Sequence, residues 1–266
     1  MSHKIGLLLC VLIAPVSLSA RGGQPTPSGT ALPGASKPKI AVVLDDFGLT
    51  YKPNVKDEAW MAVTWPVTFA VMPTYKKNKY GMNTVTAART AKAAGHEIII
   101  HFPFDPFLKL DLPKDRVSPG DLDAVRKLLS ESLRDMPGAT GINNHRSYQA
   151  TMNRPLMVAF MRELKGKGLY FLDSHVSPKS VAGPEARQAG LKVAVNDIFL
   201  ESPPHYNNMP FCQKVMRQVA AMARKRGSVV VIGHHYFPGT YECLKKEVPR
   251  LQAEGFEFVF ASDLAK

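Results

Sequence analysis

IAVVLDDFG, residues 40–48, sets a short apolar run directly before two adjacent carboxylates, Asp45 and Asp46. The arrangement recurs along the chain. Apolar runs at 98–100, 139–142, 169–172, 193–195, 229–232 and 256–260 lead to His101, Asn143-Asn144-His145, Asp173, Asn196-Asp197, His234-His235 and Ser262-Asp263. Runs of this length, bounded by polar and turn-forming residues, read as β-strands. When strands run parallel in a closed or nearly closed sheet, their carboxyl ends open onto one face, where such a fold keeps its active site. The polar endings therefore point to an enzyme, and to a metal-dependent one.

A further strand is expected at Pro66–Met72, and amphipathic stretches between the runs read as helices. Lys56–Val63 is weakly helical, and Asn83–Ala94 is alanine-rich and stops at Gly95. Ser118 caps a helix that enters through Pro119 and runs to Asp135. Asn153 caps Pro155–Lys165, where Leu156, Phe160 and Leu164 recur at helical spacing. Ser180–Ala189, Phe211–Arg226 and Thr240–Ala253 end at Gly190, Gly227 and Gly255, the residue best suited to the left-handed turn that closes a helix. About eight strands in alternation with seven or eight helices predict an α/β fold with a parallel sheet. Residues 39–266 then fit a single distorted (β/α) barrel, with an open doubly wound sheet as the alternative. No glycine-rich phosphate loop follows the first strand; Asp45-Asp46 stand there instead, which argues against dinucleotides and phosphoryl transfer.

The chain has 266 residues, 45% of them apolar, enough for one large α/β domain. Lys4, the apolar run Ile5–Leu18 and the small residues Ser17, Ser19 and Ala20 read as a signal peptide over 1–20, the alternative being an uncleaved anchor helix. Residues 21–38, rich in Gly, Pro, Ser and Ala, read as a disordered linker. No membrane span is expected in the body of the chain, so export to the periplasm is the expected location. Cys212 and Cys243 remain after the signal, and an even pair in an oxidising compartment invites a disulfide, with two separate buried thiols as the alternative. The net charge of +12 is scattered over predicted helices, with no nucleic-acid motif beside it, and reads as solvated helix surface, with attraction to anionic glycans or lipid headgroups as the alternative.

Asp45 and Asp46 are costly to hold together unless a cation or proton relieves them. If the strand continues through them they point in different directions, one binding a metal and the other serving as a base. His101 and Asp105, four positions apart across Pro103, can converge on one point, and imidazole with carboxylate suits Zn²⁺. His145 is a further candidate ligand, and Asn144 could hold a ligand or a substrate hydroxyl. Asp173 could face substrate or cap a helix. His234, with a free pKa near neutrality, suits a proton donor, and Gly233 would let backbone approach a ligand. His96 begins its strand at the opposite end and reads as structural, and His205 reads as incidental.

Six segments together resemble the divergent polysaccharide deacetylase family, relatives of the NodB-type carbohydrate esterases. They are IAVVLDDFG (40–48), PVTFAVMP (66–73), AGHEIIIHFPFDP (94–106), PGATGINNH (137–145), GLYFLDS (168–174) and GSVVVIGH (227–234). The resemblance implies a distorted barrel in the cell envelope and metal-dependent hydrolysis of acetyl groups on a glycan. It implies that Asp45 is the base and Asp46 a metal ligand, that His101 opens the metal-binding histidine motif, and that His234 is the acid. Asp105 stands where the NodB-type relatives carry a second histidine, as is usual in the divergent branch. Arg146-Ser147-Tyr148 replace the Met-Gly-Ser common after Asn-Asn-His, a change that bears on substrate contacts. The expected centre is thus one divalent ion, Zn²⁺, on Asp46, His101 and His145, with Asn144, Asp105 and Asp173 toward substrate. The rival is an envelope protein that binds a glycan or partner without turnover.

Overall fold

The computed structural model describes residues 36–49, 54–73, 81–105 and 107–266. The expected signal peptide and most of the expected linker lie outside the described residues.

β1 (Lys39–Phe47) is the axis of the sheet. On one side it pairs with β8 (Ser228–His234) along Lys39–Asp45. Its other side is divided: β9 (Glu257–Val259) takes Lys39–Ala41, and β2 (Thr68–Val71) takes Val43–Phe47. From β2 the order continues through β3 (Glu97–Pro103), β4 (Gly141–His145), β5 (Tyr170–Asp173) and β6 (Val193–Val195), while β7 (Ile198–Phe199) flanks β8. Every pairing is parallel. The sheet curls into a distorted, incompletely closed (β/α) barrel whose pairing order ends at β6 and β7.

Alternation along each strand separates two apolar layers. Ala41, Val43, Ala70, Ile99, Leu172 and Ile232 form a small cluster on one face. Ile40, Val42, Leu44, Ile100, Phe171 and Val231 pack on the other in a larger cluster with the helices. The strands are therefore apolar on both faces, as parallel sheets require. The helices are α1 (Asp57–Met61), α2 (Thr84–Ala93), α3 (Pro119–Asp135), α4 (Tyr148–Met152), α5 (Arg154–Leu164), α6 (Ala182–Gln188), α7 (Met209–Arg226) and α8 (Pro238–Ala253). Asn83, Ser118 and Asn153 cap α2, α3 and α5 through their side chains, each satisfying an amide that the helix itself leaves unpaired. Cys212 on α7 and Cys243 on α8 are joined by a disulfide, their Cα atoms 6.2 Å apart.

Two elements had no counterpart in the sequence reading: the two-residue β7 and the five-residue α4. Two expected strand endings do not reach the rim formed by the other strands' carboxyl ends. β9 pairs with the beginning of β1, so the turn after it lies low in the sheet, where the Ser262 amide faces Glu97 at 3.4 Å. Asp197 instead accepts from the Val230 amide at 2.9 Å and pairs with Arg226.

Glu97, at the start of β3, gathers the end of the sheet opposite the strand termini. Its carboxylate accepts from Thr68 Oγ1 at 2.6 Å, Thr140 Oγ1 at 2.7 Å and Tyr170 Oη at 3.2 Å. Burial, reinforced by the Glu97 charge and hydrogen bond, pushes the Tyr170 phenol well above its usual range. Glu97→Ala strands the buried hydroxyls of Thr68 and Tyr170, and urea unfolding should show a loss of about 2–4 kcal/mol.

Candidate metal centre

The first two carboxylates converge because β1 is irregular. Its register with β2 shifts between Leu44 and Phe47, and Asp46 adopts φ +78°, a left-handed conformation that is strained for a residue other than glycine. The bulge cancels the alternation that would send Asp45 and Asp46 to opposite faces. Both reach the same histidine: His101 Nε2 lies 3.1 Å from Asp46 Oδ1 and 3.6 Å from Asp45 Oδ2. The expectation of divergent side chains is corrected by this one extra residue in the strand.

Register places the remaining groups. His101 on β3 stands directly beside Asn143 on β4, and His145 lies two residues further along the same face. Asn143 Nδ2 donates to Asp45 Oδ1 at 3.0 Å, so its amide oxygen faces His101 Nδ1 at 2.8 Å. Nδ1 of His101 must then carry a proton and donate it, which directs Nε2 inward. His145 Nδ1 completes a triangle, 2.8 Å from Asp46 Oδ1 and 2.9 Å from His101 Nε2.

Three mutually touching donor atoms cannot all be satisfied by protons. With Asp46 ionised, any assignment leaves either two lone pairs or two N–H groups face to face. Asp46 Oδ1 is accordingly buried without an aligned hydrogen-bond donor, although both ring nitrogens stand within 3.1 Å. These atoms form the one cluster of metal-ligand geometry among the described residues. Two imidazole nitrogens and a carboxylate oxygen aimed at a common point fit a divalent cation, and Asn143 is the outer partner that such a histidine ligand needs.

The electrostatics agree. Burial favours the neutral form of Asp46, but the close approach of the His101 and His145 ring nitrogens outweighs it and holds the carboxyl well below its usual range. Burial would lower His101, yet Asp45 and Asp46 raise it. His145 is lowered, mainly by burial. Asp45 is raised by burial, against the pull of His101 and His234.

His234, at the end of β8, stands on another side of the same cavity. Its Nδ1 lies 3.0 Å from Glu201 Oε2, and its amide donates to Glu201 Oε1 at 3.2 Å. Thr240 Oγ1 donates to the same carboxylate. Burial disfavours the imidazolium, but the hydrogen bond and charge of Glu201, with Asp46 and Asp45, raise its pKa to about 9. Glu201 was missed in the sequence. It ends the apolar run 198–200 in the same way as the other strand endings, and the two-residue strand ahead of it hid the signal. Gly233 does not admit a ligand: a Cβ there would meet Leu200 Cδ1 at 2.8 Å and Glu201 Oε1 at 3.2 Å. Its bareness admits Glu201.

The cavity above these groups has a volume of about 820 Å³ and is bordered by Asp45, Asp46, His101, His145 and His234, with Asn144 at the edge. Asn144 is engaged in the fold: its Oδ1 accepts from the Ser174 amide at 2.9 Å and its Nδ2 donates to the Arg146 carbonyl at 3.1 Å. Asp105 and Asp173 do not border the cavity. Asp105 accepts from the Ala150 and Gln149 amides at the start of α4. Asp173 accepts from the His175 amide, Ser180 Oγ and the Gly183 amide at the entry to α6. Both carboxylates are capping groups. His235 stacks on Phe47 at 4.4 Å and is buried behind the site, its pKa lowered chiefly by that burial. His96, as read from sequence, is structural and meets the Met61 carbonyl at 3.2 Å.

The sequence profile of the divergent polysaccharide deacetylases matches residues 42–265. The chain belongs to that family. The uncharacterized protein YibQ of Escherichia coli is 30% identical over 214 residues, which cover 80% of this chain and 63% of YibQ. The match thus spans less than two thirds of that relative's length. Among solved structures, the uncharacterized protein ATU2773 of Agrobacterium tumefaciens superposes with a TM-score of 0.66 at 19% identity, over 88% of this chain and 92% of that one. The chitin deacetylase of Colletotrichum lindemuthianum gives 0.54 at 13% identity, over 87% of this chain and 88% of that one. At these identities the likeness shows the fold alone, which is NodB-like.

Removing the outer partner of a ligand histidine should weaken the centre without destroying its ligands. Asn143→Ala is expected to reduce Zn²⁺ affinity by about 10- to 100-fold in competition with a chelator. Asp46→Asn and His101→Ala should each abolish stoichiometric metal in the purified protein.

Proposed function

We propose that this protein is a metal-dependent hydrolase of carbohydrate-linked acetyl groups in the cell envelope. The observation that carries the reading is the meeting of Asp46 Oδ1, His101 Nε2 and His145 Nδ1 at 2.8–3.1 Å, with Asp45 and His234 bordering the same cavity. A divalent cation on those three atoms, Zn²⁺ by the chemistry of the donors, would supply Lewis acidity, polarising an acetyl carbonyl and acidifying water.

The chain's own groups supply the proton transfers. Asp45 is buried, held by Asn143 and not itself one of the three clustered donors, so it is the base that takes a proton from water. His234 keeps Nδ1 toward Glu201, which leaves Nε2 for the departing amine or hydroxyl. The raised pKa keeps this imidazole protonated through neutrality, as an acid requires.

Asp105 gave the non-catalytic reading its support, because it replaces a histidine ligand of the NodB-type relatives. Here Asp105 caps α4 while His145, from the next strand, provides a second imidazole. Three donors remain, which supports catalysis over binding alone. The substrate class, an acetylated glycan, follows from the family and from chitin as the named substrate of a structural neighbour. The disulfide favours an oxidising compartment, in keeping with a periplasmic location. No helix among the described residues is long and apolar enough to cross a membrane.

Acetate release from N-acetylated oligosaccharides and small acetyl esters tests the reading; metal-loaded protein that releases none sinks it. Asp45→Asn should lower kcat by about 100-fold or more while metal content holds. The acid form of His234 predominates below its folded pKa, so activity should persist to about pH 9 and fall above it. Glu201→Gln removes the charge that raises His234, and the alkaline limb should move down by about 1–2 pH units.

A further inference from the structure

The cavity is acidic at its floor and cationic at its mouth. Asp45, Asp46 and Glu201 are 2–5% exposed and engaged with one another's partners. The rim carries Arg146 and His175, both exposed, and two tyrosines, Tyr148 and Tyr206, that are 56% and 53% exposed. Arg146 is the sole Lys or Arg among the described residues bordering the cavity. Six other arginines (126, 134, 154, 224, 226 and 250) pair with carboxylates, but the Arg146 guanidinium has no such partner among the described residues.

Its backbone is nevertheless fixed. Arg146 and Ser147 adopt φ of +50° and +65°, and His175, after the neighbouring strand, adopts +52°. Left-handed backbone at three non-glycine residues is costly and persists only where other contacts hold it. Asn144 Nδ2 holds the Arg146 carbonyl at 3.1 Å. Ser147 Oγ donates to the His145 carbonyl at 2.5 Å and accepts from the Phe104 amide at 3.3 Å. The loop is built rigidly, and it presents a free planar cation beside the centre.

We infer that Arg146 recognises an anionic substituent on the glycan, so that the substrate is an acidic acetylated polymer and not a neutral one. The inference rests on the proposed glycan site and specifies the polymer that enters it. A guanidinium pairs with carboxylate or phosphate through two parallel hydrogen bonds, a match that a sugar hydroxyl cannot offer. Tyr148 and Tyr206 provide flat apolar faces for the sugar rings beside it. The net charge of +12 draws a polyanion toward the protein as a whole, and Arg146 converts that attraction into a choice at the site.

Binding of the mature chain is measured with four tetrasaccharide probes: an N-acetylglucosamine oligomer, one alternating with muramic acid bearing a free carboxylate, its methyl ester, and a phosphorylated oligomer. Wild-type protein should bind the acid about 10-fold more tightly than its ester at low salt, with the gap narrowing at high salt. Arg146→Met should bring acid and ester within about 2-fold, and Arg146→Lys should keep part of the gap. Tighter binding of the phosphorylated probe than of the carboxylate would assign the anion as phosphate. Equal affinity for acid and ester in the wild type, a preference that survives Arg146→Met, or no binding of any probe would overturn the inference. Acetate release is scored separately. Charge discrimination without turnover rejects the hydrolase, whereas turnover without discrimination rejects only the role of Arg146.

Discussion

Placing one carboxylate and two imidazoles within 3.1 Å of one another, out of water, is unfavourable unless something positive sits among them. The rest of the structure is organised around that constraint. A bulge at the end of β1 turns Asp46 inward at the cost of a left-handed backbone. Parallel register sets Asn143 beside His101, so that one histidine is oriented by a neighbour's amide and the same amide steadies Asp45. Removing any of these leaves buried polar atoms without a counterpart.

The second arm of the site answers the same constraint in a different way. His234 does not meet the triangle; it carries its own anion, Glu201, from the segment just after the short strand β7, which flanks β8. Gly233 leaves room for that carboxylate, and Thr240 at the head of α8 holds it from behind. One cavity therefore contains a cluster that calls for a cation and an imidazole that keeps a proton, and the two act on each other: Asp46 and Asp45 add to the pull of Glu201 on His234, which in turn favours the charged carboxylates.

Much of this was legible in the sequence because the fold is regular. Short apolar runs ending in polar residues gave the parallel sheet, and helix caps such as Asn83, Ser118 and Asn153 were visible as residue types before an apolar face. Asp46, His101 and His145 were legible as strand endings on one rim. What escaped was local. The bulge at Asp46 follows from pairing with β2 and has no signature in IAVVLDDFG itself. Asn144 drew attention where Asn143 does the orienting, although the two-residue period of a strand puts 143 and 145 on one face. Asp105 and Asp173 looked available because nothing in a sequence says which backbone amides a carboxylate will cap. Ser262 and Asp263 were misplaced because β9 attaches to the beginning of β1 and not to its end.

The divided edge of β1 has one more consequence. Because two separate strands cover one flank and β8 covers the other, the fraying of any single neighbour bares only part of β1. Asp45 and Asp46 thus ride on the most centrally paired strand of the sheet. Glu201 follows a strand with two paired residues and can loosen in a local fluctuation. A local opening that releases Glu201 would therefore leave the carboxylates at the end of β1 in place.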